Sequence, residues 1–297
     1  MNVEKIYKEC YRIRSFEKKV EQEFSNGKLR GTTHGCIGQE IIPVLAMEFI
    51  NKETDYVVGT HRCHGQVLAY TGDTYRLACE MMGRKDGFVK GIGGSQHIKV
   101  DKYLTNGITG GMVTVGTGIA LGIKKTAEDA IVTSFFGDGG FNEGYVQESL
   151  NLAASLELPI LYICENNHYA MSTPTVKYSA PDFGTRVTSL GMYYIMSDTA
   201  EPQKLCNDME EAFSYVRKFR KPCVIDVHTA RLCGHSKSDS MEYMSNEEKQ
   251  KNIENDPIAW LERNIQNSAR LSIQQQIAKE INDAFDKAYI CEEILEF

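Results

Sequence analysis

Four short apolar runs, separated by longer helical patterns, place the strongest constraint on the fold of this chain. The runs are rich in β-branched residues and bounded by turn residues or prolines, and they cover residues 56–59, 130–136, 158–164 and 223–227. Helical spacing of apolar residues fills the stretches 113–126, 144–155 and 202–219. Short buried strands that alternate with helices are typical of a parallel sheet covered by helices. The predicted fold class is therefore α/β, with a doubly wound, mostly parallel sheet.

Helices are also predicted at both ends of the chain. Residues 3–24 carry apolar side chains at spacings of three and four, which indicates a helix with one apolar face. The tail from Asn246 has the pattern of two further helices, interrupted near Pro257. We expect one α/β domain over residues 1–245, including the N-terminal helix, and a C-terminal helical extension over 246–297 for packing and oligomer contacts.

Composition excludes several classes of protein. A chain of 297 residues that is 42% hydrophobic and 25% charged is expected to be globular, and its net charge of −7 argues against a dominant nucleic-acid surface. No apolar run approaches the length of a membrane helix, and the N-terminus lacks the apolar core of a signal peptide, so a cytoplasmic protein is expected. The nine cysteines form no CxxC pair, which favours reduced thiols over a zinc cluster or a disulfide framework.

Glycine is concentrated in the middle of the chain. Fifteen of the 25 glycines lie between Gly83 and Gly144. A residue without a Cβ atom permits tight turns and close approach of the backbone to a ligand. Flexible surface loops are the alternative explanation.

The strongest local pattern surrounds Asp138. A predicted strand runs directly into Gly137-Asp138-Gly139-Gly140, and the next predicted strand ends at Cys164 and leads into Glu165-Asn166-Asn167. The carboxyl ends of neighbouring parallel strands meet at one edge of a sheet, so the two side chains can converge. Carboxylate and amide oxygens suit Mg²⁺, and glycine amides suit a diphosphate. An aspartate that caps a strand-to-helix turn is the simpler structural alternative.

Longer motifs around Asp138 and elsewhere in the chain resemble those of a known protein family. The segment GDGGFNEGYVQESLNLAASLELPILYICENNHYAMSTP resembles the thiamine diphosphate motif in the alpha subunit of 2-oxo acid dehydrogenase first components. That group comprises pyruvate, branched-chain 2-oxo acid and acetoin dehydrogenases. The motifs YRIRSFEKKV, GKLRGTTHGCIGQE, GTHRCHG, KGIGGSQH, NGITGGMVTVGTGIALG and GHSKSD recur in the family's order. The chain is therefore identified as a member of this group.

The resemblance implies specific roles for residues. Mg²⁺ would be bound by the side-chain oxygens of Asp138 and Asn167 and by the backbone carbonyl of Tyr169. The residues that would bind thiamine diphosphate are His61, Arg62, Gly107, Thr109, Gly137, Gly139, Gly140 and His235, in addition to the metal ligands. Gly107 and Thr109 would hold the aminopyrimidine ring through their backbone. The catalytic histidines would be His235, His64 and His34, and at the position of His235 a histidine can remain partly protonated beside anionic oxygens or donate a proton.

The resemblance also implies a reaction and partners. The activity would be that of an oxidoreductase acting on an aldehyde or oxo group with a disulfide acceptor. Decarboxylation of a 2-oxo acid, or cleavage of acetoin, would proceed through the cofactor's ylid, with acyl transfer to a lipoyl partner. The pyrimidine half of the site is expected from a beta subunit in an α2β2 heterotetramer, without which the chain would be inactive. A lipoyl acyltransferase would complete the complex.

The sequence departs from the family's pattern in the loop after GHS and before the predicted helix at Pro202. Met244 stands where an arginine usually follows the GHS loop, and residues 196–200 replace an acidic turn. Ser236 is interpreted as a structural hydroxyl.

Other functions stay open at this point. GTGIALG at 116–122 follows a short apolar run and resembles a dinucleotide fingerprint, and Asp138 lies 22 residues after Gly116, as in an NAD-dependent oxidoreductase. Two further interpretations of the same motifs are the N-terminal half of a split transketolase-like enzyme and a noncatalytic, partner-binding subunit.

Overall fold

The computed structural model describes residues 1–29, 31–180 and 182–294. The chain divides into two compact units, each made of segments distant in sequence. The first unit consists of Met1–Met47, His61–Asp101 and Arg231–Phe297, and the second of Glu48–Thr60 and Lys102–Ala230. The expected domain boundary between residues 245 and 246 stays a prediction.

Helices and strands alternate along most of the chain. The helices are α1 (Val3–Ser25), α2 (Ile41–Met47), α3 (His64–Thr71), α4 (Thr74–Met81), α5 (Gly111–Thr126), α6 (Asp138–Phe141), α7 (Gly144–Ser155), α8 (Phe183–Ser189), α9 (Pro202–Phe219), α10 (Asn246–Glu254), α11 (Pro257–Arg263) and α12 (Asn267–Ile290). The strands are β1 (Tyr56–Gly59), β2 (Lys99–Val100), β3 (Tyr103–Thr105), β4 (Val132–Gly137), β5 (Ile160–Asn166), β6 (Tyr169–Ala170), β7 (Thr173–Pro174), β8 (Tyr193–Asp198) and β9 (Cys223–His228).

A parallel sheet forms the centre of the second unit. Its strands lie in the order β3-β1-β4-β5-β9-β8, and each neighbouring pair is parallel. Every residue of β5 is buried, which explains the unbroken apolar run that marks this strand in the sequence. Helices α5 and α7 pack against each other, α5 packs on β1 and β4, and α9 packs on β5, β8 and β9. The predicted α/β class with a mostly parallel sheet is confirmed.

Two strands of this sheet escaped the sequence pattern, and one apparent strand is helical. β3 has only three residues, and the side chains of the edge strand β8 are mostly exposed or half-buried, so neither gives an apolar run. The run at residues 112–115 lies inside α5, as do Gly116, Gly118 and Gly122. A dinucleotide fingerprint needs a strand, a glycine turn and then a helix. The NAD-dependent interpretation therefore loses its structural basis.

Helices dominate the first unit. Ile6, Cys10 and Phe16 lie on the buried face of α1, as the spacing predicted. The C-terminal helix α12 packs on α1 and α4, and the ring centroids of Phe16 and Phe285 are 5.3 Å apart. The tail forms three helices, so the expectation of two was wrong. A second break follows α11, where Asn264 ends one helix before α12 begins. In the described part of the chain, no helix combines the length and apolarity needed to cross a bilayer.

Candidate functional site

Asp138 and Asn167 follow neighbouring strands of the second unit. Gly137 at the end of β4 pairs with Glu165 near the end of β5, so both side chains leave the sheet at its carboxyl edge. Asp138 is only 2% exposed, and its Oδ2 accepts hydrogen bonds from Thr175 Oγ1 at 2.6 Å and from Tyr178 Oη at 3.0 Å. Asn167 Oδ1 accepts from the backbone N–H of Tyr169 at 3.3 Å. We call Asp138, Asn167, Thr175 and Tyr178 the strand-end cluster.

The strand-end cluster carries a buried negative charge. Among the described residues, no lysine, arginine or histidine forms an ion pair with Asp138, whose partners are the two hydroxyl groups. Burial raises the pKa of Tyr178, and the neighbouring Asp138 charge acts in the same direction, so Tyr178 stays a hydrogen-bond donor. A buried carboxylate without a cation is costly, and carboxylate and amide oxygens are ligands that Mg²⁺ prefers. The cluster therefore fits a hard divalent cation.

Glycines allow the backbone to pack closely around this edge. An added Cβ atom at Gly140 would lie 3.4 Å from the backbone nitrogen of Gly110 and 3.5 Å from Thr109 Cγ2. Gly110 has a φ of 73°, and a Cβ atom there would lie 2.6 Å from a methyl group of Val146. Tyr145 donates its hydroxyl proton to the carbonyl of Thr109. The structure thus brings the segment containing Thr109 against Gly140, within the second unit.

Three histidines and an arginine meet in the first unit. One ring nitrogen from each of His34, His61 and His235 lies within 4.8 Å of the other two. Arg62 is buried and donates from Nη1 to the carbonyl of Gly35 at 2.8 Å and from Nη2 to the carbonyl of His235 at 2.9 Å. Arg62 therefore ties together the two loops that carry His34 and His235. We call His34, His61, Arg62 and His235 the histidine cluster.

The histidine cluster favours neutral imidazoles. Burial and the neighbouring Arg62 charge lower the pKa of His34 and of His235 to about 4, and that of His61 to about 2. The buried Arg231 acts in the same direction on all three rings. The lowered pKa of His235 favours its neutral form in these surroundings, and partial protonation beside anionic oxygens stays a prediction. The positive charge in this region belongs to the two arginines, since guanidinium groups remain charged.

His64 lies outside the histidine cluster. It is 0% exposed, its Nδ1 is 3.1 Å from each carboxylate oxygen of Glu17, and its Nε2 is 2.9 Å from Ser95 Oγ. Burial alone would raise the pKa of Glu17, but the charge and hydrogen bond of His64 and the donors of Cys36 lower it. His64 thus connects α1 to the segment that carries Ser95. Its catalytic role stays a prediction.

A buried carboxylate fastens the glycine-rich segment before Ser95. Glu80 is 0% exposed and accepts backbone hydrogen bonds from Val89 at 2.7 Å, Gly91 at 3.0 Å and Gly93 at 2.7 Å. A Cβ atom at Gly87 would lie 2.4 Å from Glu80 Oε2. Part of the glycine concentration in this region therefore serves to close a loop around a carboxylate.

The loop that carries His235 has its own anchor. Asp239 accepts from the backbone N–H of His235 at 2.6 Å, from that of Met241 at 2.9 Å and from Tyr243 Oη at 2.7 Å. Arg231 Nη2 donates to the same Tyr243 hydroxyl at 3.0 Å. The loop is therefore held by Asp239 and Tyr243, while Met244 is buried in the position where relatives were expected to carry an arginine.

Sequence reasoning missed several residues that shape these clusters. Glu17 and Gln96 lie inside quoted motifs, and the others lie outside them: Glu80, Thr175, Tyr178 and Arg231. None has a chemical signature of its own, and a position in or near a motif is a signal for only some of them.

Comparisons with known proteins define the class of protein. The sequence profile of the family described as "Dehydrogenase E1 component" matches residues 8–294. The chain is 36% identical over 286 residues to the pyruvate dehydrogenase E1 component subunit alpha of Rhizobium meliloti (strain 1021), with 94% of this chain and 82% of that protein covered. The protein of the same name from Rickettsia bellii (strain RML369-C) is 35% identical, with 93% and 87% covered.

A human relative extends the likeness. The mitochondrial, somatic form of the pyruvate dehydrogenase E1 component subunit alpha of Homo sapiens is 33% identical over 298 residues, with 94% of this chain and 74% of that protein covered. Together the matches place this chain among the thiamine diphosphate-dependent 2-oxo acid dehydrogenases, as an oxidoreductase that acts on an oxo group. The chain belongs to the dehydrogenase E1 component family, and its likeness to the alpha subunits confirms the family predicted from the motifs.

Proposed function

We propose that this chain is the alpha subunit of a thiamine diphosphate- and Mg²⁺-dependent 2-oxo acid dehydrogenase. Pyruvate is the first candidate substrate because the relatives named above are pyruvate dehydrogenase subunits. Branched-chain 2-oxo acids and acetoin are the alternative substrates. The observation that carries the proposal is the buried Asp138 carboxylate, which accepts two hydroxyl donors and follows the strand next to the one that Asn167 follows.

The strand-end cluster supports the metal assignment. Asp138 and Asn167 would supply side-chain oxygens to Mg²⁺, and Tyr169, whose amide already contacts Asn167 Oδ1, would supply its carbonyl. Gly137, Gly139 and Gly140 at the start of α6 would let diphosphate oxygens approach their backbone. An added Cβ atom at Gly139 would lie 3.1 Å from Ala170 Cβ, so this position also packs tightly against Ala170. Gly107 and Thr109 would face the pyrimidine through their backbone.

The histidine cluster supports anion binding. Arg62 and His61 would contact phosphate oxygens, and His235 and His34 would serve as polar contacts for the cofactor or the 2-oxo acid. A buried guanidinium flanked by neutral imidazoles attracts an oxyanion without placing four positive charges together. When bound, thiamine diphosphate supplies the carbanion chemistry and the electron sink for loss of CO₂.

The proposal includes partners. A beta subunit would supply the pyrimidine side of the cofactor site in an α2β2 heterotetramer, and a lipoyl acyltransferase would accept the acyl group. Two results would contradict the partner assignment: turnover of 2-oxo acids by this chain alone, or failure of a co-expressed beta subunit to copurify with it.

Asp138→Asn tests the proposed function. In the enzyme assembled with its beta subunit, the variant keeps the shape of the side chain but loses the charge that a divalent cation needs. We expect calorimetry to show at least a hundredfold loss of Mg²⁺-dependent thiamine diphosphate affinity, about 3 kcal/mol. The matched control is Asp129→Asn at a fully exposed aspartate. Unchanged affinity in Asp138→Asn would mean that the metal site is assigned wrongly. Turnover with pyruvate, a branched-chain 2-oxo acid and acetoin then ranks the substrates.

A further inference from the structure

Hydrogen bonds to the histidine cluster constrain where two ring protons lie. Arg62 Nη2 is 3.0 Å from Nδ1 of His235, and Gln96 Nε2 is 2.8 Å from Nδ1 of His34. A guanidinium group has only donors, and an amide nitrogen is likewise a donor. Nδ1 must therefore accept in both rings. Since the two imidazoles are neutral, each carries its proton on Nε2.

This arrangement decides which kind of ligand the three histidines suit. By distance alone, His34, His61 and His235 could hold a metal ion. A metal ion needs an unprotonated ring nitrogen from each ligand. In His34 and His235 the bare nitrogen is already occupied by a donor, and the other nitrogen carries a proton. The two rings therefore offer N–H groups, which bind anionic oxygens.

We propose that Gln96 is a positioning residue that holds His34 as its Nε2–H tautomer, so that His34 and His235 present two N–H donors to an anionic oxygen. The identity of the anion rests on the proposed function: a carboxylate oxygen of the 2-oxo acid or a phosphate oxygen of the cofactor. Gln96 acts through His34 and needs no contact with either. Gln96 donates to Nδ1 of His34, as Arg62 donates to Nδ1 of His235.

Contacts of the preceding residue, Ser95, fix the backbone at Gln96. Ser95 is buried, its Oγ is 2.9 Å from His64 Nε2, and its carbonyl accepts from Cys63 Sγ at 3.3 Å. His64 is in turn fixed by the buried Glu17. The side chain of Gln96 therefore begins from a fixed backbone position, which is what a positioning residue requires.

Nitrogen NMR tests the tautomer directly. The enzyme is assembled with its beta subunit, with ¹⁵N-histidine in this chain only, and studied by magic-angle-spinning NMR. The chain has seven histidines, and the signals that vanish in His34→Asn assign His34. We expect a bare Nδ1 and a protonated Nε2 in the natural enzyme. Gln96→Glu replaces the donor with an acceptor and should move the proton to Nδ1. A natural enzyme with Nδ1 protonated, or a Gln96→Glu spectrum identical to the natural one, overturns the proposal.

Binding measurements test the consequence and identify the anion. Gln96→Met keeps the length of the side chain but removes the donor, and the matched control is Gln250→Met on the exposed face of α10. Loss of one oriented hydrogen bond should weaken anion binding about tenfold. A higher KM for the 2-oxo acid with unchanged kcat identifies the carboxylate. A weaker calorimetric affinity for thiamine diphosphate identifies the phosphate. If Gln96→Met leaves both the KM for the 2-oxo acid and the affinity for thiamine diphosphate unchanged, Gln96 is not a positioning residue.

Failure of this inference is distinguishable from failure of the proposed function. If the natural enzyme binds no thiamine diphosphate and turns over no 2-oxo acid, the proposed function is wrong. In that case the NMR spectrum still gives the tautomer of His34. Comparison with the Gln96→Glu spectrum still shows whether that tautomer depends on Gln96.

Discussion

Glu80→Gln is expected to destabilise the first unit through the backbone of one loop. Val89 and Gly91 donate to Oε2, and Gly93 donates to Oε1. A glutamine can place its carbonyl oxygen at the Oε2 position and keep two of these bonds, but its NH₂ group then faces the N–H of Gly93. One buried donor without an acceptor costs about 1–3 kcal/mol, and each remaining bond loses about 1 kcal/mol when the acceptor becomes neutral. The amide avoids the cost of burying a charge, so the expected net loss is about 2–4 kcal/mol.

Two measurements check this loss. Guanidinium chloride unfolding of the full chain gives the change in free energy of unfolding, with Glu148→Gln as a control at an exposed glutamate. Hydrogen exchange followed by mass spectrometry gives the local effect, which should be faster exchange over residues 87–97. A change below about 0.5 kcal/mol, which is typical of surface substitutions, together with unaltered exchange would show that Glu80 does not hold this loop.

Three further perturbations test other contacts. The pKa of His34 is lowered to about 4 from an ordinary 6.5. Its contribution to stability is therefore present above pH 6.5 and is lost as the pH falls towards 4. We expect the free energy of unfolding of His34→Gln to fall less steeply than that of the natural chain between pH 6.5 and 4. His228, whose pKa is raised by its hydrogen bond with Asp226, contributes below pH 6.5 and loses that contribution as the pH rises, so the penalty of His228→Gln should shrink between pH 6 and 8. Tyr243→Phe removes a donor to Asp239, and we expect faster hydrogen exchange over residues 233–241 with a global cost of about 1 kcal/mol.

The strand pattern alone brought Asp138 and Asn167 together, whereas the members of the histidine cluster were named only through the family resemblance, and this difference has a physical reason. Asp138 and Asn167 follow apolar strands, and parallel register alone brings such residues to one edge. No periodic rule relates Gln96 to His34 or Glu80 to Gly93, because these contacts are made by loops whose path depends on tertiary packing. The family motifs could mark the loops but not the hydrogen bonds inside them.

The same limit applies to the charge of His235. An imidazole in an anion-binding loop has no fixed charge, because burial and a neighbouring cation can each outweigh the attraction of an anion. The sequence places Arg62 and His235 173 positions apart, and folding puts Nη2 of one 3.0 Å from Nδ1 of the other. Once that contact exists, Arg62 supplies the charge and His235 supplies a directed N–H donor. A net charge of −7 over the whole chain is therefore compatible with the proposed anion binding, since the histidine cluster and the neighbouring Arg231 combine two buried arginines with neutral imidazoles.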